Sequence, residues 1–149
     1  MNRSATTRVR PMTIGDSGTV SELAGQLGYP STPTEIERRF CTIEGDSDSQ
    51  VLVAEGPGAA VLGWLHVYGL HLLESEGEAE IGGLVVDSRV RGQGVGTRLM
   101  EAAEAWARGR GYTKVCVRSN TIRAEAHSFY KYLGYVILKS QYKFQKPLS

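Results

Sequence analysis

The sequence lacks the features that would assign it to a membrane or secreted class. No apolar run reaches 18 residues, so no membrane-spanning helix is expected. The first ten residues, MNRSATTRVR, are polar and contain no apolar signal core. Only two cysteines are present, Cys41 and Cys116, and they do not have the spacing of metal ligands. We therefore expect a reduced, cytoplasmic protein with no membrane association and no metal site.

Positive charge is absent from one long segment of the chain. Residues 40–88 contain nine Asp and Glu but no Lys or Arg, whereas residues 89–149 contain twelve Lys and Arg and three Glu. Most of these charges are expected to be solvated. The segregation nevertheless suits a protein that binds an anionic cofactor with one part and a cationic substrate with another. The basic residues occur without a recognition motif, so nucleic acid is not an expected partner.

The length of 149 residues predicts a single domain, 1–149, with one hydrophobic core. Hydrophobic periodicity and turn residues predict the order β-α-α-β-β-β-α-β-α-β-β. Thr32 to Glu35 has the pattern of a helix capping box, and Gly82-Gly83 inside a strand suggests a β-bulge. The strands are predicted at 6–13, 50–55, 59–70, 78–86 and 114–118, with a last strand pair at 135–138 and 142–146.

The central feature of the sequence is a strand, a glycine-rich turn and a helix start within residues 84–100, LVVDSRVRGQGVGTRLM. The glycines allow a sharp turn and a close approach of a ligand to the backbone. The helix that begins near Val95 presents unpaired amide groups at its N-terminus, where the helix dipole favours an anion. Arg91 and Arg98 add positive charge. The segment therefore predicts a phosphate-binding site.

Spacing narrows the class of phosphate ligand. No Lys follows the glycines, which excludes the P-loop of triphosphate-binding proteins. A dinucleotide fold needs GxGxxG on its first strand and an acid about 20 residues later. Here the pattern is GxGxG, it lies in the second half of the chain, and no such acid follows. The remaining alternatives are a different phosphate ligand or a turn that binds nothing.

Two segments resemble the general-control-related N-acetyltransferases, the GNAT superfamily. Arg91, Gly94 and Gly96 match the [QR]xxGxG/A pattern of its acyl-CoA loop. The segment NTIRAEAHSFYKYLGY is similar to the next block of the family. The second match runs through Asn120, Ala126, Phe129, Tyr130, Leu133, Gly134 and Tyr135.

The resemblance implies an α/β fold in which a central mixed sheet is flanked by helices. In this fold two parallel strands, here 78–86 and 114–118, splay apart and leave a cleft. The resemblance also implies that acetyl-CoA is the co-substrate, with its pantetheine arm along the backbone of 84–86 and its pyrophosphate on the amides of 91–97. Asn120 would meet the pantetheine or acetyl end, although a turn residue that caps the next helix is the alternative. The implied cofactor-binding set is Leu84, Val85, Val86, Arg91, Gly92, Gln93, Gly94, Val95, Gly96, Thr97 and Asn120.

Acetyl transfer needs a proton donor for the leaving thiolate and a route for the proton of the amine. Tyr130 matches the family's tyrosine for the first task; the alternative is a core tyrosine on its helix. Glu80, on the strand that leads to the loop, is the candidate base or a carboxylate that orients the substrate. His66 and His71 are rival bases. Cys116 is interpreted as a packing residue, because no neighbour in sequence would lower its pKa.

The sequence thus predicts an acetyl-CoA-dependent N-acetyltransferase that acts on a primary amine by direct attack in a ternary complex. The acidic hairpin at residues 74–80 favours a small cationic acceptor. The alternative is a catalytically silent acyl-CoA-binding or regulatory domain on the same fold. A homodimer is left open.

Overall fold

The computed structural model describes residues 7–119 and 123–149. The described residues fall into two compact units, one ending at Val117 and the other running from Arg118 to Ser149. Asn120 lies outside the described residues. None of the described helices is long and apolar enough to cross a membrane.

The first unit is built on a five-stranded sheet in the order β1-β2-β3-β4-β5. The first four strands pair antiparallel with their neighbours, and β5 pairs parallel with β4, so the sheet is mixed. Connections follow the expected order: two helices separate β1 from β2, and one helix crosses from β4 to β5. The strands are β1 Arg8–Pro11, β2 Ser49–Glu55, β3 Val61–Leu72, β4 Ser75–Val86 and β5 Val115–Val117.

Helices cover both faces of this sheet. On one face Val20 of α1 and Phe40 of α2 pack in a cluster with Val51 and Val53, and Trp64 of β3 lies against that cluster. On the other face Leu65, Val67 and the α3 residues Leu99, Met100 and Ala103 are almost fully buried. The helices are α1 Ser17–Leu27, α2 Pro33–Glu44 and α3 Val95–Gly109, with α4 Ala124–Tyr132 in the second unit.

A β-bulge interrupts the pairing of β3 with β4. His66 is paired with Gly83 and Val67 with Ile81, so Gly82 is the extra residue on β4. The bulge predicted from Gly82-Gly83 is therefore confirmed. Because side chains alternate along a strand, the extra residue reverses which sheet face each later residue of β4 occupies.

Short sequence patterns explain the start of α2 and the end of α1. Thr32 and Glu35 form the predicted capping box at α2: the Thr32 hydroxyl accepts from the Glu35 amide, and the Glu35 carboxylate accepts from the Thr32 amide. Gly28 closes α1 in the left-handed region, with φ of 102°. The carboxylate of Asp16, the residue before α1, does not cap that helix and instead binds the guanidinium of Arg10 and the amide of Thr13.

The predicted last strand pair at 135–138 and 142–146 is wrong, because the structure describes no strand in residues 133–149. Side chains such as Val136, Leu138, Tyr142 and Phe144 are at least 75% exposed. Apolar alternation predicts a strand only where a neighbouring edge completes the backbone hydrogen bonds, and no such ladder forms here. As a result β5 is an edge strand of the described sheet rather than a central one.

Candidate active site

One edge of β4 is open beyond the bulge. β5 pairs with β4 only from Ala79 to Ile81, whereas β3 follows β4 to Val86. On the β5 side, residues 82–86 therefore have no strand partner among the described residues. Backbone N–H and C=O groups on such an edge can pair with an extended ligand as an added strand would. Leu84, Val85 and Val86, predicted to contact the cofactor, lie on this edge.

The open edge leads directly into the glycine loop. Ser88–Val90 forms one 3₁₀ turn, and Gly92 and Gly94 then adopt left-handed backbone with φ of 79° and 85°. A Cβ at either glycine would meet no other atom within 4 Å, so the glycines are required by conformation and leave space above the loop. α3 begins at Val95, and its first amides have no helical acceptor.

Two arginines place positive charge at this helix start. Arg91 is exposed on the loop, and Arg98 lies half-buried one turn into α3. The Nε atom of Arg98 is buried and has no hydrogen-bond partner among the described residues. A guanidinium normally binds a carboxylate, a phosphate or a carbonyl through such groups. The loop, the free amides and this donor together fit a phosphate-containing ligand.

The start of the loop is fixed from two directions. Asp87 is only 4% exposed, and its carboxylate accepts from both the amide and the guanidinium of Arg89, with a shortest separation of 2.7 Å. These bonds hold the pKa of Asp87 at about 2, well below its ordinary value. From the other side, the Ser88 amide donates to the side chain of Gln26 on α1 at 2.9 Å. The loop is thereby attached to the helix layer next to it.

Glu80 lies on the sheet face that carries α1 and α2, opposite Tyr68 of β3. Its side chain is buried, at 5% exposure, and the Tyr68 hydroxyl donates a hydrogen bond to its carboxylate. Sequence reasoning did not identify Tyr68, because its partnership with Glu80 depends on the register of two strands. The signal that would have found it is the position of an aromatic hydroxyl on the neighbouring strand of the predicted hairpin.

His66 lies on the same face, two residues before Tyr68. The two rings are 5.3 Å apart between centroids. The Nε2 atom of His66 is buried and has no hydrogen-bond partner among the described residues. Burial lowers the pKa of this imidazole, although the negative charge of Asp46 acts in the opposite direction. Burial thus favours the neutral form of His66.

His71 and Cys116, the other residues considered for a catalytic role, lie in different surroundings. His71 contacts Asp48 and Tyr112 at 3.3 and 3.1 Å, in a cluster where Asp48 also binds Arg110. This cluster joins the start of β2 to the end of β3 and to the segment after α3. Burial and a hydrogen bond with Glu78 raise the pKa of Cys116 to about 11, so its thiol is a poor nucleophile.

The charge segregation of the sequence is partly cancelled in the fold. Four of the nine carboxylates in residues 40–88 form ion pairs with Lys or Arg at 2.7 to 3.7 Å, and these are Asp48, Glu55, Glu78 and Asp87. Glu80 accepts a hydrogen bond from the phenol of Tyr68. The negative charge available to a cationic ligand is therefore more localised than the sequence suggests.

Tyr130 belongs to the second unit and is described within it. It lies on the less exposed face of α4, where its ring packs edge-on against Phe129 and Tyr135 at centroid distances of 5.3 and 6.1 Å. Burial raises the pKa of its phenol above the ordinary value. The group thus keeps its proton over the physiological pH range, as a proton donor must.

Comparison with known proteins decides the family. Residues 19–135 match the sequence profile described as "Acetyltransferase (GNAT) family". The chain belongs to this family. GNAT members use acetyl-CoA as co-substrate, and the protein is an N-acetyltransferase. The mixed sheet with flanking helices is the fold of the solved GNAT structures that it resembles.

Individual relatives agree with this assignment. The aminoglycoside N(6')-acetyltransferase type 1 of Klebsiella aerogenes is 29% identical over 146 residues, which cover 94% of this chain and 96% of that protein. The glucosamine-6-phosphate N-acetyltransferase of Arabidopsis thaliana is 25% identical, with a TM-score of 0.74 over 97% and 99% of the two chains. The aminoglycoside 6'-N-acetyltransferase of Acinetobacter haemolyticus, 17% identical, shares the fold with a TM-score of 0.81 over 95% and 99%.

Proposed function

We propose that residues 1–149 act as one catalytic domain that transfers the acetyl group of acetyl-CoA to a primary amine of a small cationic acceptor. The observation that carries the proposal is the open edge of β4, residues 82–86, which continues into the glycine loop and the N-terminus of α3. An extended arm and a phosphate group, joined as in acetyl-CoA, match these two features in order. A homodimer and a cytoplasmic location stay predictions.

In this proposal the backbone of Leu84, Val85 and Val86 pairs with the pantetheine arm. The pyrophosphate lies on the amides of residues 91–97, which are Arg91, Gly92, Gln93, Gly94, Val95, Gly96 and Thr97. The unpartnered Nε of Arg98 supports an anion at this place. Asn120, which lies outside the described residues, keeps its predicted role at the acetyl end.

The reaction joins the amine nitrogen to the thioester carbonyl carbon and breaks the bond from that carbon to sulfur. The amine must first lose a proton, because an alkylammonium has no lone pair. Backbone N–H groups at the bulge can donate to the oxyanion that develops on the carbonyl. Tyr130 donates its phenolic proton to the departing thiolate. Its raised pKa supports this role, because the phenol is protonated before the step.

Glu80 is the catalytic residue of the acceptor side, where its carboxylate contacts the ammonium group. Its place on the α1 and α2 face of β4, two residues before the bulge, brings it near the start of the open edge. The Tyr68 hydrogen bond fixes one carboxylate oxygen of Glu80. The aminoglycoside substrate in the name of the Klebsiella aerogenes relative also favours a polycationic acceptor.

The test is a survey of acceptors with acetyl-CoA, in which free thiol is followed and the acceptor is weighed by mass spectrometry. Kanamycin and spermine represent cationic amines, and glucosamine 6-phosphate represents an anionic one. We expect thiol release with the cationic amines and little with the phosphorylated sugar. Stabilisation of the protein by CoA with no thiol release from any amine would instead support the silent acyl-CoA-binding domain.

A further inference from the structure

His66 occupies a position that the bulge creates. It is paired with Gly83 on β4, and the extra residue Gly82 lies beside its ring. A Cβ on Gly82 would lie 2.9 Å from the His66 Nδ1 and 3.1 Å from a ring carbon of Tyr68. A side chain at this position would therefore collide with the imidazole and crowd the ring of Tyr68. The glycine thus lets the imidazole lie directly against the backbone of the bulge.

The imidazole has no partner that would fix it for a structural purpose. Its Nε2 is covered and makes no hydrogen bond to the described residues. Leaving a covered polar group unpaired costs about 1–3 kcal/mol. A histidine kept only for packing would be replaced by an apolar ring without that cost. Because Nε2 is covered, a group from outside the chain can reach a ring nitrogen of His66 only at Nδ1, which lies beside Gly82.

We propose that His66 accepts the proton of the acceptor amine before acetyl transfer. The proposal rests on the proposed function and names the residue that acts as the general base of that reaction. Glu80 then binds and orients the ammonium, and the neutral imidazole removes the proton. This division is favoured chemically, because a carboxylate beside an ammonium stabilises the charged form and so opposes loss of the proton. The ordinary pKa of an imidazole is also closer than that of a carboxylate to physiological pH.

The protons and bonds balance as follows. The ammonium gives one proton to His66 and becomes a neutral amine, whose lone pair forms the bond to the carbonyl carbon. The nitrogen loses its second proton as the tetrahedral intermediate collapses and the carbon–sulfur bond breaks. Tyr130 protonates the thiolate and recovers a proton from that nitrogen through solvent. His66 returns its proton to bulk water, so one proton is released for each amide formed.

The groups that face His66 define the expected pH dependence. Tyr68 and Glu80 lie on its own sheet face, and Asp46 acts on it from the segment between α2 and β2. Burial has the largest effect and lowers the pKa of His66. The value of kcat/KM should therefore rise with one acid limb below neutral pH, as His66 becomes neutral, and then reach a plateau, because His66 itself removes the proton from the bound ammonium.

The test is the pH profile of kcat/KM for spermine from pH 5 to pH 10 in the wild type and in His66→Gln. Glutamine keeps a polar side chain but cannot take up a proton. We expect a loss of about 10²-fold near pH 7, disappearance of the acid limb, and a smaller loss near pH 10, where the amine is partly neutral. Added imidazole should restore part of the activity of His66→Ala.

His71→Gln is the matched control, because it removes a histidine from the same strand that lies in the Asp48 cluster instead. It should keep the wild-type pH profile. The stabilisation of His66→Gln by CoA reports folding and cofactor binding separately from the base. Suppose that the wild type acetylates spermine and that the ratio of its kcat/KM to that of His66→Gln stays constant from pH 5 to pH 10. This result would overturn the role of His66 but leave the proposed function intact. Absence of acetylation by the wild type would overturn both.

Discussion

The hydroxyl of Tyr68 donates a hydrogen bond to the carboxylate of Glu80 across the β3–β4 pair. The two residues are 12 positions apart in sequence and directly opposite in the sheet. Glu80 is buried, and the hydrogen bond from Tyr68 fixes the position of its carboxylate. The pair therefore places an oriented carboxylate next to the bulge.

Tyr68→Phe removes this hydroxyl and retains the ring. We expect kcat/KM for a cationic acceptor to fall by about tenfold or more, the usual effect of one hydrogen bond to a charged group. The expected cause is poorer orientation of Glu80, so the loss should be absent in the Glu80→Gln background. A double-mutant cycle of kcat/KM measures this directly. Equal losses in both backgrounds would mean that Tyr68 acts independently of Glu80.

Glu80→Gln removes the charge and preserves the shape. If Glu80 binds an ammonium group, the substitution should raise the KM of spermine about tenfold or more and change kcat less. The effect should be weaker for a monoamine, which has fewer charges to attract. High salt should raise the wild-type KM more than that of the variant. Identical salt dependence of the two proteins would contradict an electrostatic role.

Gly94→Asp tests the anion site with a close control. Both Asp and Asn tolerate left-handed backbone better than most residues, so Gly94→Asn carries a similar conformational cost without the charge. We expect CoA to raise the melting temperature of the wild type and, to a smaller extent, of Gly94→Asn. Gly94→Asp should show no shift at the same CoA concentration. Equal shifts in the Asp and Asn variants would argue against a pyrophosphate at this loop.

Tyr130→Phe tests the proton donor. The variant keeps the ring contacts with Phe129 and Tyr135 but has no phenolic proton. We expect kcat to fall by about 10²-fold, with the stabilisation by CoA unchanged. Because burial raises the pKa of this phenol, the wild-type kcat should fall only at a pH above the ordinary tyrosine range. A variant with the wild-type kcat would show that Tyr130 has only a structural role.

Asp87 gives a prediction about stability and pH. Its folded-state pKa of about 2 lies below the ordinary value of 3.8. Its contribution to the free energy of unfolding is therefore complete above the ordinary pKa and is lost as the pH falls from about 4 to 2. Asp87→Asn should lower the free energy of unfolding at pH 7 by about 1.5–3 kcal/mol, the range for hydrogen bonds to charged groups. Denaturant unfolding should show the two proteins converging near pH 2. A difference that is constant over this range would exclude the carboxylate as its cause.

Local patterns predicted much of the first unit. The Thr32–Glu35 capping box and the bulge at Gly82 each depend on residues that are close together in the chain. The strand, turn and helix of residues 84–100 were predictable for the same reason. Each of these features is decided by backbone geometry that a few side chains impose.

The features that sequence reasoning missed depend on distant partners. Tyr68 meets Glu80 only because β3 and β4 pair in one register, and Tyr112 reaches Asp48 from 64 positions away at 2.6 Å. The predicted last strand pair failed where apolar residues had no neighbouring edge. The assigned roles of Glu80 and Tyr130 stay predictions.

The bulge at Gly82 divides β4 into two segments with opposite parity. Glu80 shares a sheet face with His66 and Tyr68, whereas beyond Gly82 that face is occupied by the odd-numbered Gly83 and Val85. The strand can therefore place the Glu80 carboxylate on one face of the sheet and still place apolar residues on both faces beyond the bulge. Deleting the one residue Gly82 would leave Gly83 opposite His66, but it would remove the local bend and the added twist that the bulge gives the strand between Glu80 and the cofactor loop. For a protein engineer, the chain length between Glu80 and the loop is as constrained as the identity of any side chain within it.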